Sequence, residues 1–135
     1  MTVGPVERDE ATAEFFDGTA AGQFLLRRCP AGHFGEPAVA QCTTCGSMDL
    51  AWVPAAGGAT LISWVVSYSR SVGDEPPLRT VLVIGELDEG PWWWAQLVGD
   101  DHDADAAGLV AGLRLRVDFR RAGDEFEAVP VFVRA

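Results

Sequence analysis

Hydrophobic and polar positions change their spacing along this chain, and the change divides it. Residues Met1–Asp9 carry no pattern. From Glu10 to Gly22, Ala11, Phe15 and Ala20 form a weak apolar stripe at helical spacing, and Gly22 ends it. Gln23–Arg28 alternates as a strand. Asp49–Pro54, which contains Trp52, leads to the turn Ala55-Ala56-Gly57-Gly58. Beyond that turn the period is two. Thr60–Ser69 is β-branched and aromatic, and Gly73–Pro77 breaks it. Leu78–Leu87 is nearly continuous in apolar residues, which predicts a central strand, and Asp88-Glu89-Gly90 reads as a hairpin turn. Pro91–Val98 is the third strand of this half. Gly99–Ala107 is an acidic loop, and Ala106–Gly112 is expected to form a short helical bridge. Leu113–Phe119 alternates cleanly, Arg120–Glu127 is a polar turn, and Val129–Val133 closes the chain with Pro130 at an edge position.

Five strands with a bridge between the third and fourth is the plan of an OB-type Greek-key barrel. The expected class is mainly β: a tail and short helix over 1–22, a ribbon module over 23–54, and a five-stranded OB-fold barrel over 55–135.

Charge narrows the possible functions. The chain has 135 residues and a formal net charge of −10, and all ten of its basic residues are arginine. With no lysine, a phosphate-binding P-loop lysine, a Schiff-base lysine and a Ser-Lys dyad are all excluded. The acidic balance also argues against nonspecific nucleic-acid binding, which depends on neutralising phosphates. No apolar run has the length of a membrane helix, and the acidic start does not resemble a signal peptide, so the expected location is the cytoplasm. Three cysteines do not make a fully paired disulfide framework.

Those cysteines all fall in Cys29–Cys45, CPAGHFGEPAVAQCTTC, which also holds His33. Cys42-Thr43-Thr44-Cys45-Gly46 is a knuckle whose spacing puts two thiolates on one face of a tight turn. The first half lacks the matching cysteine: position 32 is Gly32, and His33 follows it. Cys29, His33, Cys42 and Cys45 are therefore the expected ligands of a Cys3His zinc ribbon. A ribbon that has lost its metal and a redox C-x-x-C are the competing readings; the second lacks the strand–helix setting of a thioredoxin-like motif.

Nothing else suggests catalysis. Ser63, Ser67, Ser69 and Ser71 have only His33 and His102 as histidine bases, and Asp100-Asp101 and Glu86/Asp88 read as solvated charges. Trp92-Trp93-Trp94 is different. Alternation sends Trp92 and Trp94 to one face of a strand and Trp93 to the other, more than one small core can hide. Trp92 and Trp94 are thus expected at a partner interface, and Phe15 and Phe16 either join it or pack on the ribbon.

The order of motifs resembles a known family. A helix with an aromatic pair, a ribbon ending Cys45-Gly46-Ser47, a tryptophan and a glycine-rich turn lead into the barrel. A late strand, Gly112–Phe119, and the ending Pro130-Val131-Phe132 complete the pattern. This is similar to the small rubredoxin-like zinc-ribbon plus OB-fold proteins that accompany thiolase-like enzymes, and the likeness runs from Glu10 to Ala135. It implies a non-catalytic accessory subunit of a thiolase-superfamily aldolase or acyltransferase acting on acyl-CoA, with steroid side chains among the family's substrates. Arg70 and Arg79 are the candidates for CoA phosphates, against a plain role balancing Asp74 and Glu75. A nucleic-acid-binding OB module is the alternative; a stand-alone enzyme ranks third.

Overall fold

The computed structural model describes residues 3–69, 73–74, 76–99 and 106–135. One helix, α1 (Ala13–Ala20), precedes eight strands: β1 (Leu25–Arg28), β2 (Phe34–Gly35), β3 (Ala51–Pro54), β4 (Gly58–Tyr68), β5 (Arg79–Leu87), β6 (Trp92–Gln96), β7 (Arg114–Arg120) and β8 (Val129–Arg134). The helix starts three residues later than its apolar stripe suggests. Asp9 and Thr12 form a reciprocal turn ahead of it, each backbone N–H donating to the other's side-chain oxygen at 2.9 Å.

Two antiparallel sheets follow, with strand orders β2-β1-β3 and β6-β5-β4-β7-β8. The second rolls into the expected barrel. Its ends meet where Leu97 bridges Phe132 in parallel, and the Val98 N–H donates to the Phe132 carbonyl at 2.9 Å. The five-strand OB plan is therefore present, and the expected mainly β class with it. One local expectation needs correction, and one element is new. Ala106–Gly112 contains turns and no helix; its two glycines, Gly108 and Gly112, have left-handed φ and interrupt any helical run. Phe34–Gly35 adds a two-residue strand, too short to show a period.

The core explains the pattern. Leu61, Val83, Leu97, Leu115 and Phe132 are sealed inside the barrel, and Phe24 and Leu26 of the ribbon pack into the same cluster. Phe132 lies flat against Gly85: a Cβ built there would approach its ring to 2.7 Å, so only glycine lets β5 and β8 come this close. The ribbon and barrel thus share a hydrophobic boundary.

The aromatic pair of α1 faces that boundary. Phe15 meets Phe16, Phe24 and Trp93 with ring centroids 5.3, 5.6 and 6.0 Å apart, and Trp93 stands edge-on to Phe24 at 5.0 Å. Phe15 and Phe16 are buried within this chain, which follows the second of their two expected places: the helix packs them inward on the ribbon and β6. Arg8 fixes the arm in front of the helix, reaching Glu127 at 2.8 Å and Asp17 at 2.6 Å.

Among the described residues no helix is long and apolar enough to cross a membrane.

Candidate metal centre and adjoining groove

The ribbon is built from two turns that face each other. In the first, the Cys29 N–H donates to the His33 carbonyl and the Gly32 N–H to the Cys29 carbonyl. In the second, the Gly46 N–H donates to the Cys42 carbonyl and the Cys42 N–H to that of Ser47. Gly32 and Gly46 both have left-handed φ, 92° and 77°. A side chain at either position would strain the turn. The first turn places its glycine at the third residue after the cysteine, the second at the fourth. That one-residue offset leaves His33, not residue 32, pointing back at Cys29.

The four expected ligands come together. Their donor atoms all lie within 4.8 Å of one another. His33 Nδ1 is 3.3 Å from Cys29 Sγ and 3.6 Å from Cys42 Sγ, and the Cys45 and Cys29 sulfurs are 3.8 Å apart. A tetrahedral ion with metal–sulfur bonds near 2.3 Å has sulfur–sulfur edges of about 3.8 Å. The donor set and its spacing fit a metal, and all three cysteines are free of disulfides. Backbone donors support the sulfurs: the Cys45 N–H points at Cys42 Sγ at 3.4 Å and the His33 N–H at Cys29 Sγ at 3.3 Å. The Cys45 N–H is the main reason the Cys42 thiol titrates low, at about 6. A thiol already inclined to ionise is a ready ligand.

Beside this cluster runs a groove of about 680 Å³. It is framed by α1, the Pro37–Ala40 segment of the ribbon, β3, the free edge of β6 and the start of β8, with Phe16, Val39, Trp52, Trp93, Trp94 and Pro130 among its walls. Arg27 is its one ionisable lining residue. The guanidinium stacks 4.1 Å over the Trp52 ring, and its Nη2 donates to the Leu50 carbonyl at 2.9 Å. Its Nε–H is buried without an acceptor among the described residues. No sequence pattern points to this groove, whose lining comes from separate segments of the chain.

The tryptophan run divides as alternation requires. Trp93 turns inward, while Trp92 and Trp94 are 50% and 61% exposed. Cross-strand pairing places Trp94 beside Ile84 and Ile84 beside Ser63, with Val65, Leu82 and Gln96 in the next row. Directly paired residues share a sheet face. The outer face of β4, β5 and β6 therefore carries Val65, Leu82, Ile84, Trp92 and Trp94, an apolar outside on a barrel already filled within. The Trp92 indole N–H is held by Glu86 at 2.9 Å.

The remaining candidates lie apart from the cluster. Arg79 opens β5 opposite Tyr68, on none of the elements that carry the four ligands. Arg70, His102 and Asp100-Asp101 fall outside the described residues. Arg114 makes a two-pronged pair with Asp88 at 2.9 and 3.0 Å and holds that carboxylate below its usual range. Among the described residues His33 is the only histidine, and the ribbon uses it.

Fold and site together define a class: a Cys3His ribbon module, able to hold a metal, joined to an OB barrel. A profile of the family described as "ChsH2, C-terminal OB-fold domain" matches residues 52–120. The chain belongs to that family. It is 29% identical over 111 residues to the 3-oxo-4,17-pregnadiene-20-carboxyl-CoA hydratase alpha subunit of Mycobacterium tuberculosis, covering 80% of this chain and 33% of that protein. The chain thus spans about a third of that relative's length. Among solved structures, a chain of an Ltp2-ChsH2(DUF35) aldolase superposes with a TM-score of 0.76 at 25% identity, covering 94% of this chain and 96% of the other.

Proposed function

We propose that this chain is a non-catalytic accessory subunit of a thiolase-like aldolase or acyltransferase, assembling the complex and helping to position an acyl-CoA substrate. The observation that carries the reading is the outer face of β4, β5 and β6. Trp92 and Trp94 stand exposed there beside Val65, and burying them against a partner removes a large apolar area from water. The two relatives agree in kind, one being a subunit of a CoA-thioester hydratase and the other part of an aldolase. A steroid side chain is the acyl group that the hydratase's name favours. In this reading zinc occupies the Cys29, His33, Cys42 and Cys45 cluster and holds the ribbon closed, and the complex is cytoplasmic. Arg70 and Arg79 remain the proposed contacts to CoA phosphates.

The test is co-purification from the native host. A thiolase-superfamily protein retained in stoichiometric amount is the expected result. Replacing Trp92 and Trp94 together by Ser should abolish retention and leave the thermal midpoint nearly unchanged, since both side chains are exposed. Retention undiminished by the double substitution would remove this face from the interface.

A second reading rests on the same residues. In OB folds the face of the second and third strands is where oligonucleotides stack, and Trp92 and Trp94 occupy that position here. Their described neighbours are Glu86 and Gln96, with no arginine paired beside them, and the chain carries −10. Salt-dependent capture of single strands would favour it; the accessory reading expects none.

A further inference from the structure

We propose that the groove beside the ribbon binds a bulky apolar acyl group, with the acyl oxygen directed at Arg27. Its volume of about 680 Å³ lies within the range of small-ligand sites. The walls supply flat aromatic and aliphatic surface from Phe16, Val39, Trp52, Trp93 and Trp94, suited to hydrocarbon. Charge selects the polar end of the ligand. The chain has twenty acidic residues, yet none lines this groove, and the single ionisable residue is a cation. Arg27 cannot turn away to water freely, because Trp52 holds its face and Leu50 takes one of its donors. Its Nε–H is sealed inside the protein without an acceptor among the described residues, so a ligand in the groove meets the guanidinium at its outer Nη edge. A group with hydrocarbon bulk and one acceptor oxygen, as a carboxylate or a thioester carbonyl, matches both the walls and the cation.

A basic ligand meets like charge at Arg27, and a plain hydrocarbon leaves the arginine's donors unmet. The groove borders the exposed face, since Trp94 belongs to both, whereas Trp92 is not part of its lining. Only the source of the ligand rests on the accessory-subunit reading; the site itself belongs to this chain.

The experiment titrates the purified metal-loaded chain with two acids below their micelle concentrations, deoxycholate for a rigid polycycle and dodecanoate for a flexible chain. Free CoA serves as the control. Tryptophan fluorescence and calorimetry follow binding. Saturable one-site binding of at least one acid is expected, and free CoA should not displace it from the groove. Arg27→Gln should weaken it about tenfold, the loss of a charge-assisted hydrogen bond. Ala40→Trp, placed on the exposed rim, should block it by filling the groove. Metal content measured on both variants confirms that the ribbon is intact. Absence of saturable binding overturns the proposal, and so does binding that neither variant alters. Binding blocked by Ala40→Trp but indifferent to Arg27→Gln overturns the orientation at Arg27. Partner capture is scored separately on the same samples. An acid that fails to bind a chain still capturing its partner defeats this inference alone; an acid that binds a chain with no partner defeats only the accessory reading.

Discussion

The ribbon and the barrel reach order by different routes. The barrel does so through a sealed interior, with Leu61, Val83, Leu115 and Phe132 withdrawn from water across four strands. The ribbon has three short strands, and between Cys29 and Leu50 it buries little besides Cys29 and Cys42. Too little apolar area is removed there to offset the ordering of some twenty residues, which costs about 1–2 kcal/mol each. A metal held by Cys29, His33, Cys42 and Cys45 would supply what packing does not. The comparison teaches where a functional surface can be afforded: the barrel exposes two tryptophans because its core is complete without them.

The largest expected effect separates the two regions. Chelating the metal, or changing Cys42 to Ser, should withdraw on the order of 10 kcal/mol of binding energy from the ribbon. Residues 29–50 should lose amide protection while the strands of the barrel keep it, as read by hydrogen exchange. Simultaneous loss of protection in both would show that the shared Phe24 and Leu26 contacts make one cooperative unit. Next comes Phe132→Ala, which empties the centre of the barrel and should cost about 3–5 kcal/mol in urea unfolding. Gly85→Ala tests the same contact from the other side, pressing a methyl onto the Phe132 ring for about 1–3 kcal/mol. Neither change should reduce the stoichiometry of bound metal.

The smallest effect is that of pH. Asp88 beside Arg114, Asp118 beside Arg120 and Glu127 beside Arg8 are all held below the ordinary carboxylate values. A depressed carboxylate stabilises the fold above its unfolded pKa, and that contribution fades as pH falls through the folded value. The barrel's melting temperature should therefore slip only slightly between roughly pH 5 and pH 3, because these pairs are solvent-screened. The ribbon should respond more steeply over the same range, since protons compete with the metal for its thiolates and His33. Equal slopes in both regions would contradict the division drawn here.

How much the sequence disclosed follows the same division. The barrel strands were legible through local signals, β-branched and aromatic content in Thr60–Ser69, a nearly continuous apolar run in Leu78–Leu87 and clean alternation in Leu113–Phe119, and each observed boundary lies within about two residues of the expected one. The metal ligands were legible because the C-x2-C spacing is local and His33 stands one place from the missing cysteine. Phe15 and Phe16 were ambiguous: a helix stripe shows which residues are apolar, not whether the neighbour is the same chain or another. The groove was illegible. It is assembled from α1, Arg27, Pro37–Ala40, Trp52, Trp93–Trp94 and Pro130, segments that no period connects.

The closure of the barrel through Leu97 and Phe132 has a consequence for synthesis. The ribbon strands are complete at residue 54, whereas the strand that seals the barrel begins at Val129. At common elongation rates, the intervening 75 or so residues take on the order of ten seconds to emerge. During that interval the apolar inner faces of β4 and β5 have no fifth strand to cover them. The nascent chain therefore presents complete ribbon strands attached to an unfinished sheet, and its exposure to aggregation is set by the wait for one six-residue strand.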